Sequence, residues 1–72
     1  MTNTELLERK IQESGKKKGY LAKKLGMTLA TFRKYCTNQS EFRTSHIDIL
    51  CEELHITSLE ERHAIFFAHN GA

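Results

Sequence analysis

The apolar residues of this chain recur at helical rather than strand spacing. Leu7, Ile11 and Ser14 mark one face of a helix over about Thr4–Ser14, with Thr2 and Glu5 at capping-box spacing and Gly15 as its stop. A second helix is predicted over Lys18–Leu25. Gly26 ends it, because glycine takes the left-handed conformation at little steric cost. Thr28 then serves as N-cap for a third helix, about Leu29–Thr37. Phe32, Tyr35 and Cys36 follow an i, i+3, i+4 spacing there and turn inward, while Ala30, Arg33, Lys34 and Thr37 form the opposite, hydrophilic stripe. Asn38–Glu41 reads as a loop, after which Phe42 folds back onto the core and Arg43 stays exposed. A fourth helix, about His46–Leu54, begins at a Ser45/Asp48 capping-box spacing and presents Ile47, Leu50, Cys51 and Leu54 on one face, with Ile56 closing the core below it. Ser58 with Glu61 repeats the capping spacing before a fifth helix, roughly Leu59–Ala68, stopped by Asn70-Gly71. No segment alternates as a strand. The expected fold class is all-α, five short helices in one domain over residues 1–72.

Residues 18–37, KGYLAKKLGMTLATFRKYCT, organise the rest. Two helices joined by so tight a turn cross at close range. Ala22 is small enough to permit the approach, and Leu25, Met27 and Phe32 fill the angle between them. This is a helix-turn-helix arrangement, whose second helix can lie in the major groove of DNA.

Composition narrows the choice. A chain of 72 residues buries only about 60% of its unfolded surface, which allows one modest core and no elaborate active site. No run approaches the roughly 18 apolar residues of a membrane span, and no secretory leader is visible, so a cytoplasmic protein is expected. The two cysteines are too few for a disulfide scaffold. Net charge is only +2, but residues 1–43 hold ten Lys/Arg against four Asp/Glu (+6), whereas residues 44–72 hold one Arg against five acids (−4). A basic face on a near-neutral domain is the electrostatic footprint of a polyanion binder. Lys16, Lys17 and Lys18 lead into the second helix, where the helix dipole and free N–H groups also favour an anion.

Other chemistry is poorly supported. Cys36, His46, Cys51 and His55 lack zinc-finger spacing, and both cysteines fall on apolar faces, where a free thiol behaves as a small hydrophobe. No glycine-rich phosphate cradle and no nucleophile elbow occurs. The expectation is a non-enzyme with no metal, no cofactor, no small-molecule substrate and no membrane association.

The stretch 18–37 resembles the helix-turn-helix of the phage Cro/CI repressor family, the lambda-repressor-like or XRE class. Ala22, Gly26 and Phe32 fall where that family has its small residue, its turn glycine and its buried apolar residue. The run NQSEFRTSHIDILCEELHIT (38–57) resembles the loop and fourth helix of the same domain, and residues 4–68 can be accommodated. The resemblance implies sequence-specific binding of double-stranded DNA by a transcriptional regulator, a repressor acting in a bacterial host cell. With the chain ending at Ala72, a small Cro-like protein is the expected match. It implies base-facing places for Leu29, Ala30 and Lys34, flanked by Thr28, Arg33 and Thr37. Lys18 resembles the position at the start of the second helix that holds phosphate, and Gln39 and Arg43 lie in the loop that tracks the backbone. Many relatives carry Gln, Ser or Asn where this chain has Leu29 and Ala30. Thymine-methyl contact is open to such side chains and bidentate adenine reading is not; Leu29 facing inward is the alternative.

The resemblance also implies a homodimer on a pseudo-palindromic operator, since one short helix contacts few base pairs. Ile65, Phe66 and Phe67 are the candidate dimerisation residues. Adjacent helical residues point about 100° apart, so Phe66 and Phe67 cannot easily share one small core. Either one packs inside and the other forms an exposed patch with Ile65 or Leu59, or both are shielded by the C-terminal tail and first helix. Two rival readings keep the fold: an antitoxin-type regulator with a protein partner, and a protein-interaction module that does not bind DNA.

Overall fold

A computed structural model describes residues 1–68 of the chain. Among these, five helices and no strand occur: α1 Thr4–Ser14, α2 Lys18–Lys24, α3 Leu29–Cys36, α4 Thr44–Glu53 and α5 Leu59–Phe66. The chain is all-α, as the spacing predicts. The predicted Asn70-Gly71 stop lies outside the described residues.

The core takes one stripe from each helix. Leu7, Leu21, Phe32, Leu50 and Ile65 are its largest fully buried side chains, with Ile11, Ala22, Cys36, Ile47, Cys51, Leu54, Ile56 and Phe66 around them. Phe42 reaches back from the 39–43 loop and stands edge-on to Phe32 at 6.2 Å and to Phe66 at 5.8 Å, both favourable aromatic geometries. Both cysteines are free and buried, and desolvation pushes the Cys36 thiol up to about 11. They act as apolar filler.

Three helices end in the same closure. The residue after the C-cap takes a left-handed conformation, its N–H returns to the carbonyl three back, and the next N–H returns to the carbonyl five back. At the end of α2 this residue is Gly26 (φ 73°), with Gly26 N–H to Lys23 O at 3.0 Å and Met27 N–H to Ala22 O at 3.0 Å. At α3 it is Asn38 (φ 65°), and at α4 His55 (φ 57°). Helix α1 varies the theme at Gly15 (φ 72°): the Ser14 hydroxyl accepts from Lys16 N–H at 3.1 Å and donates to Ile11 O at 2.6 Å. A Cβ at Gly26 would meet nothing within 4 Å, so its positive φ, not lack of room, selects glycine.

The turn after α2 sets how α2 and α3 meet. Ala22 is 1% exposed beneath α3, and Leu25 and Met27 pack at the edge of the core. Replacing Ala22 by Leu inserts three carbons into a filled crossing and is expected to destabilise by about 1–3 kcal/mol through overpacking. Urea unfolding measures it, and an unchanged midpoint would remove the close-packing account of this crossing.

Several local expectations are corrected. The α1 N-cap is Asn3, whose Oδ1 accepts from Leu6 N–H at 3.1 Å. Thr2 makes no box with Glu5; it is buried and engaged elsewhere. Helix α4 starts two residues early, at Thr44, and Ser45/Asp48 is not its box. Arg43 occupies the N-cap and its N–H is accepted by His46 Nδ1 at 3.3 Å, while Asp48 pairs with Arg62 of α5 at 2.7 Å. Helix α5 ends at Phe66 rather than Ala68, its start capped by Ser58, which accepts from Glu61 N–H at 3.2 Å. Ile65 and Phe66 are not surface residues. They are 1% and 3% exposed because α5 turns this edge onto the core, leaving Phe67 44% exposed.

Ion pairs fasten the helices to one another. Lys10 of α1 meets Glu61 of α5 at 2.8 Å, a contact that raises its pKa above the ordinary lysine value. Lys16 reaches the C-terminal end of α4, bonding both Glu53 O at 2.7 Å and Glu53 Oε1 at 2.9 Å, where a cation also suits the helix dipole. The hydrogen bond from Lys16 lowers the Glu53 pKa below its usual range. The stabilisation from this contact is therefore present above the unfolded-state carboxyl pKa and is lost as pH falls through the depressed one.

Candidate nucleic-acid interface

Helix α3 is fixed at both ends, which gives its outer face a defined orientation. At its start the Thr28 hydroxyl accepts from Thr31 N–H at 3.1 Å and donates to Thr31 Oγ1 at 3.0 Å. Along its inner face Phe32 and Cys36 are buried, and Tyr35 is half-buried against Phe42 and His46. At its end the Thr37 hydroxyl donates back to Arg33 O at 3.0 Å and accepts from Gln39 Nε2 at 3.1 Å. The stripe opposite Phe32 is fully open: Ala30, Arg33, Lys34 and Thr37 are all exposed. Thr28 and Gln39 extend it at either end, and both are exposed. Leu29 is half-buried, divided between the surface and the α2–α3 edge.

The cations divide into two groups. Lys10, Lys16, Lys18 and Arg62 are held in carboxylate pairs. Among the described residues no carboxylate lies within ion-pair distance of Arg9, Lys17, Lys23, Lys24, Arg33, Lys34 or Arg43. The loose positive charge is thus concentrated on α2, α3 and the loop that follows. The unpaired cations of α3 stand on a helix with no acidic residue at all. Such a surface attracts a polyanion without first having to break an internal pair.

The fold changes the surroundings of Lys18 and Arg43 in different ways. Lys18 does stand at the start of α2, but its ammonium is 2.7 Å from Glu8 Oε1 of α1. It is not poised free for a phosphate; sequence spacing could not show this, because Glu8 is ten residues away. Arg43 is exposed, as expected, yet it is also the N-cap of α4, so its backbone is fixed while its side chain is free.

Sequence reasoning missed Asn38. Its backbone closes α3 and its side chain pairs with Thr2 across the molecule. One signal was available, since asparagine is the residue that most often replaces glycine in a left-handed helix closure.

Among the described residues no group of three or more His, Cys, Asp or Glu side chains is placed to hold a metal ion. No helix among them is long and apolar enough to cross a membrane. Comparison with known proteins adds nothing further: no protein-family model, no curated protein and no solved structure matches this chain.

Proposed function

We propose that this chain binds double-stranded DNA in a sequence-specific way, with α2 and α3 acting as a helix-turn-helix and α3 as the helix that enters the major groove. The observation that carries the reading is the open stripe Ala30, Arg33, Lys34 and Thr37, on a helix locked at both ends and facing no carboxylate. Arg33 and Lys34 supply charge-assisted donors to bases or phosphates, Ala30 offers apolar contact to a thymine methyl, and Thr37 and Gln39 contact the strand at the helix's end. Thr28 and the free edge of Leu29 border the stripe, and the Arg43 side chain tracks the backbone. The likeness of residues 18–37 to the phage Cro/CI class supports the role of a small Cro-like transcriptional repressor in a bacterial cell. Selecting bound duplexes from a random-sequence pool tests this, with titration of the selected duplex across salt concentrations. A consensus site and a steep fall of affinity with salt are expected. No enrichment, or binding indifferent to salt, would favour a protein-interaction module instead.

The proposal includes a homodimer on a two-fold operator. Leu59 is 81% exposed and Phe67 44% exposed; with Arg62 and His63 they line a shallow apolar depression on α5. This is the self-association surface in our reading, in place of Ile65 and Phe66. Phe67→Ser is expected to weaken binding to a full two-fold site several-fold while leaving half-site affinity and helical circular dichroism unchanged. Equal affinity of the parent for half and full sites, with one protein on each, would mean that it works as a monomer.

A further inference from the structure

The turn that leaves α3 is closed by a side chain with a second task. Asn38 holds φ 65°, and the N–H groups of Asn38 and Gln39 return to Tyr35 O at 3.3 Å and Lys34 O at 2.9 Å. Its side-chain amide faces the other way and matches the backbone of Thr2, 36 residues distant. Thr2 N–H donates to Asn38 Oδ1 at 2.9 Å, and Asn38 Nδ2 donates to Thr2 O at 2.8 Å. Thr2 is 5% exposed, so these backbone groups have little water to turn to if the amide is removed. The N-terminal segment is itself fixed to α5: Asn3 N–H donates to Ile65 O at 2.6 Å, and Ala68 N–H donates to Met1 O at 2.9 Å.

We infer that Asn38 is a positioning residue for DNA binding, holding the 39–43 loop so that Gln39 and Arg43 meet the duplex in a fixed register. The inference rests on the DNA-binding reading above. A left-handed residue costs least as glycine, which the chain uses at Gly15 and Gly26. Asparagine at 38 adds a donor and an acceptor in the same planar arrangement as a peptide group, which is what pairing with a peptide requires. Aspartate would keep the acceptor for Thr2 N–H and set a negative oxygen against Thr2 O. The far end of the loop is already pinned, by Phe42 in the aromatic cluster and by His46 Nδ1 accepting Arg43 N–H. Asn38 fixes the near end, so the two DNA-facing side chains lie between two anchored points. Ordering them in advance lowers the entropic cost of binding.

Asn38→Gly separates positioning from folding. Glycine relieves the left-handed backbone, but leaving the two Thr2 groups unpaired lowers the urea midpoint, so affinity is measured where the variant's helical circular dichroism matches the parent's. Affinity for the duplex that the parent selects from a random pool is expected to fall about tenfold. Asn38→Asp is expected to bind as weakly. Gln39→Ala, expected to weaken the parent, is expected to lose most of its effect in the Asn38→Gly background, whereas Arg43→Ala, at the end pinned by Phe42 and His46, is expected to keep its effect there. Parent-like affinity in Asn38→Gly, or a Gln39→Ala effect undiminished in that background, would overturn the positioning role. A loss of binding that only tracks a loss of folded protein would do the same. If the parent itself selects no duplex, the DNA-binding reading fails and the positioning role falls with it. If the parent binds and Asn38→Gly matches it, the positioning role alone fails.

Discussion

Reversing both cations of the exposed α3 stripe, Arg33→Glu with Lys34→Glu, is expected to weaken duplex binding by about a hundredfold or more. The two side chains are exposed, and no carboxylate competes for them among the described residues. Their removal therefore frees no buried partner and costs the fold little. On the proposed docking of α3, placing two acids there sets like charge against phosphate, and the salt slope is expected to fall along with affinity. Helical circular dichroism and the urea midpoint are expected to remain near the parent's, because neither residue touches the core. Titration of the selected duplex at several salt concentrations measures the effect. Affinity retained within a few-fold would place the DNA-binding surface elsewhere, the unpaired lysines of α2 being the next candidates.

Phe32→Ala is expected to cost about 3–5 kcal/mol. At 72 residues the whole stability of the chain is on the order of 4–11 kcal/mol, so this one truncation leaves a marginal fold. Phe32 is fully buried where α3 meets the rest of the core, and its ring supports Phe42 edge-on. Removing it opens a cavity that helices fixed by capped turns cannot easily collapse to fill. It also takes away one of the rings that hold the loop after α3. Urea unfolding gives the magnitude, and Phe32→Leu, which keeps most of the volume, is expected to lose far less. Equal midpoints for parent and Phe32→Ala would show that the core does not depend on this ring.

The pairing of ends is where reading the chain and seeing it folded diverge most. The bounds of α1 are those that the spacing predicts. Those of α2 and α3 differ by one residue, because Gly15, Gly26 and Thr28 act on neighbours a few positions away. The start of α4 differs from the spacing-based one because Ser45/Asp48 and Arg43/His46 offer competing starts two residues apart, and the edge-on contacts of His46 with Tyr35 and Phe42 favour the second. The choice between Phe66 and Phe67 could not be made from periodicity. Both positions border the same stripe, and the direction from which α1 and Phe42 approach α5 decides which is buried.

By itself, then, the sequence determined what depends on near neighbours: the all-α class, the stops at Gly15 and Gly26, the turn between α2 and α3, and the open stripe of Ala30, Arg33, Lys34 and Thr37. Those features follow from side-chain period, capping chemistry and the backbone freedom of glycine, all of which act over a turn or two of chain. Only the tertiary structure decided which charges are already spent and which ends are tied. Glu8 neutralises Lys18, Glu53 holds Lys16, and Asn38 pairs with Thr2 across 36 residues. Ion pairs and amide–backbone bonds of this kind depend on distances of about 3 Å, and such distances between remote residues exist only once the helices have packed.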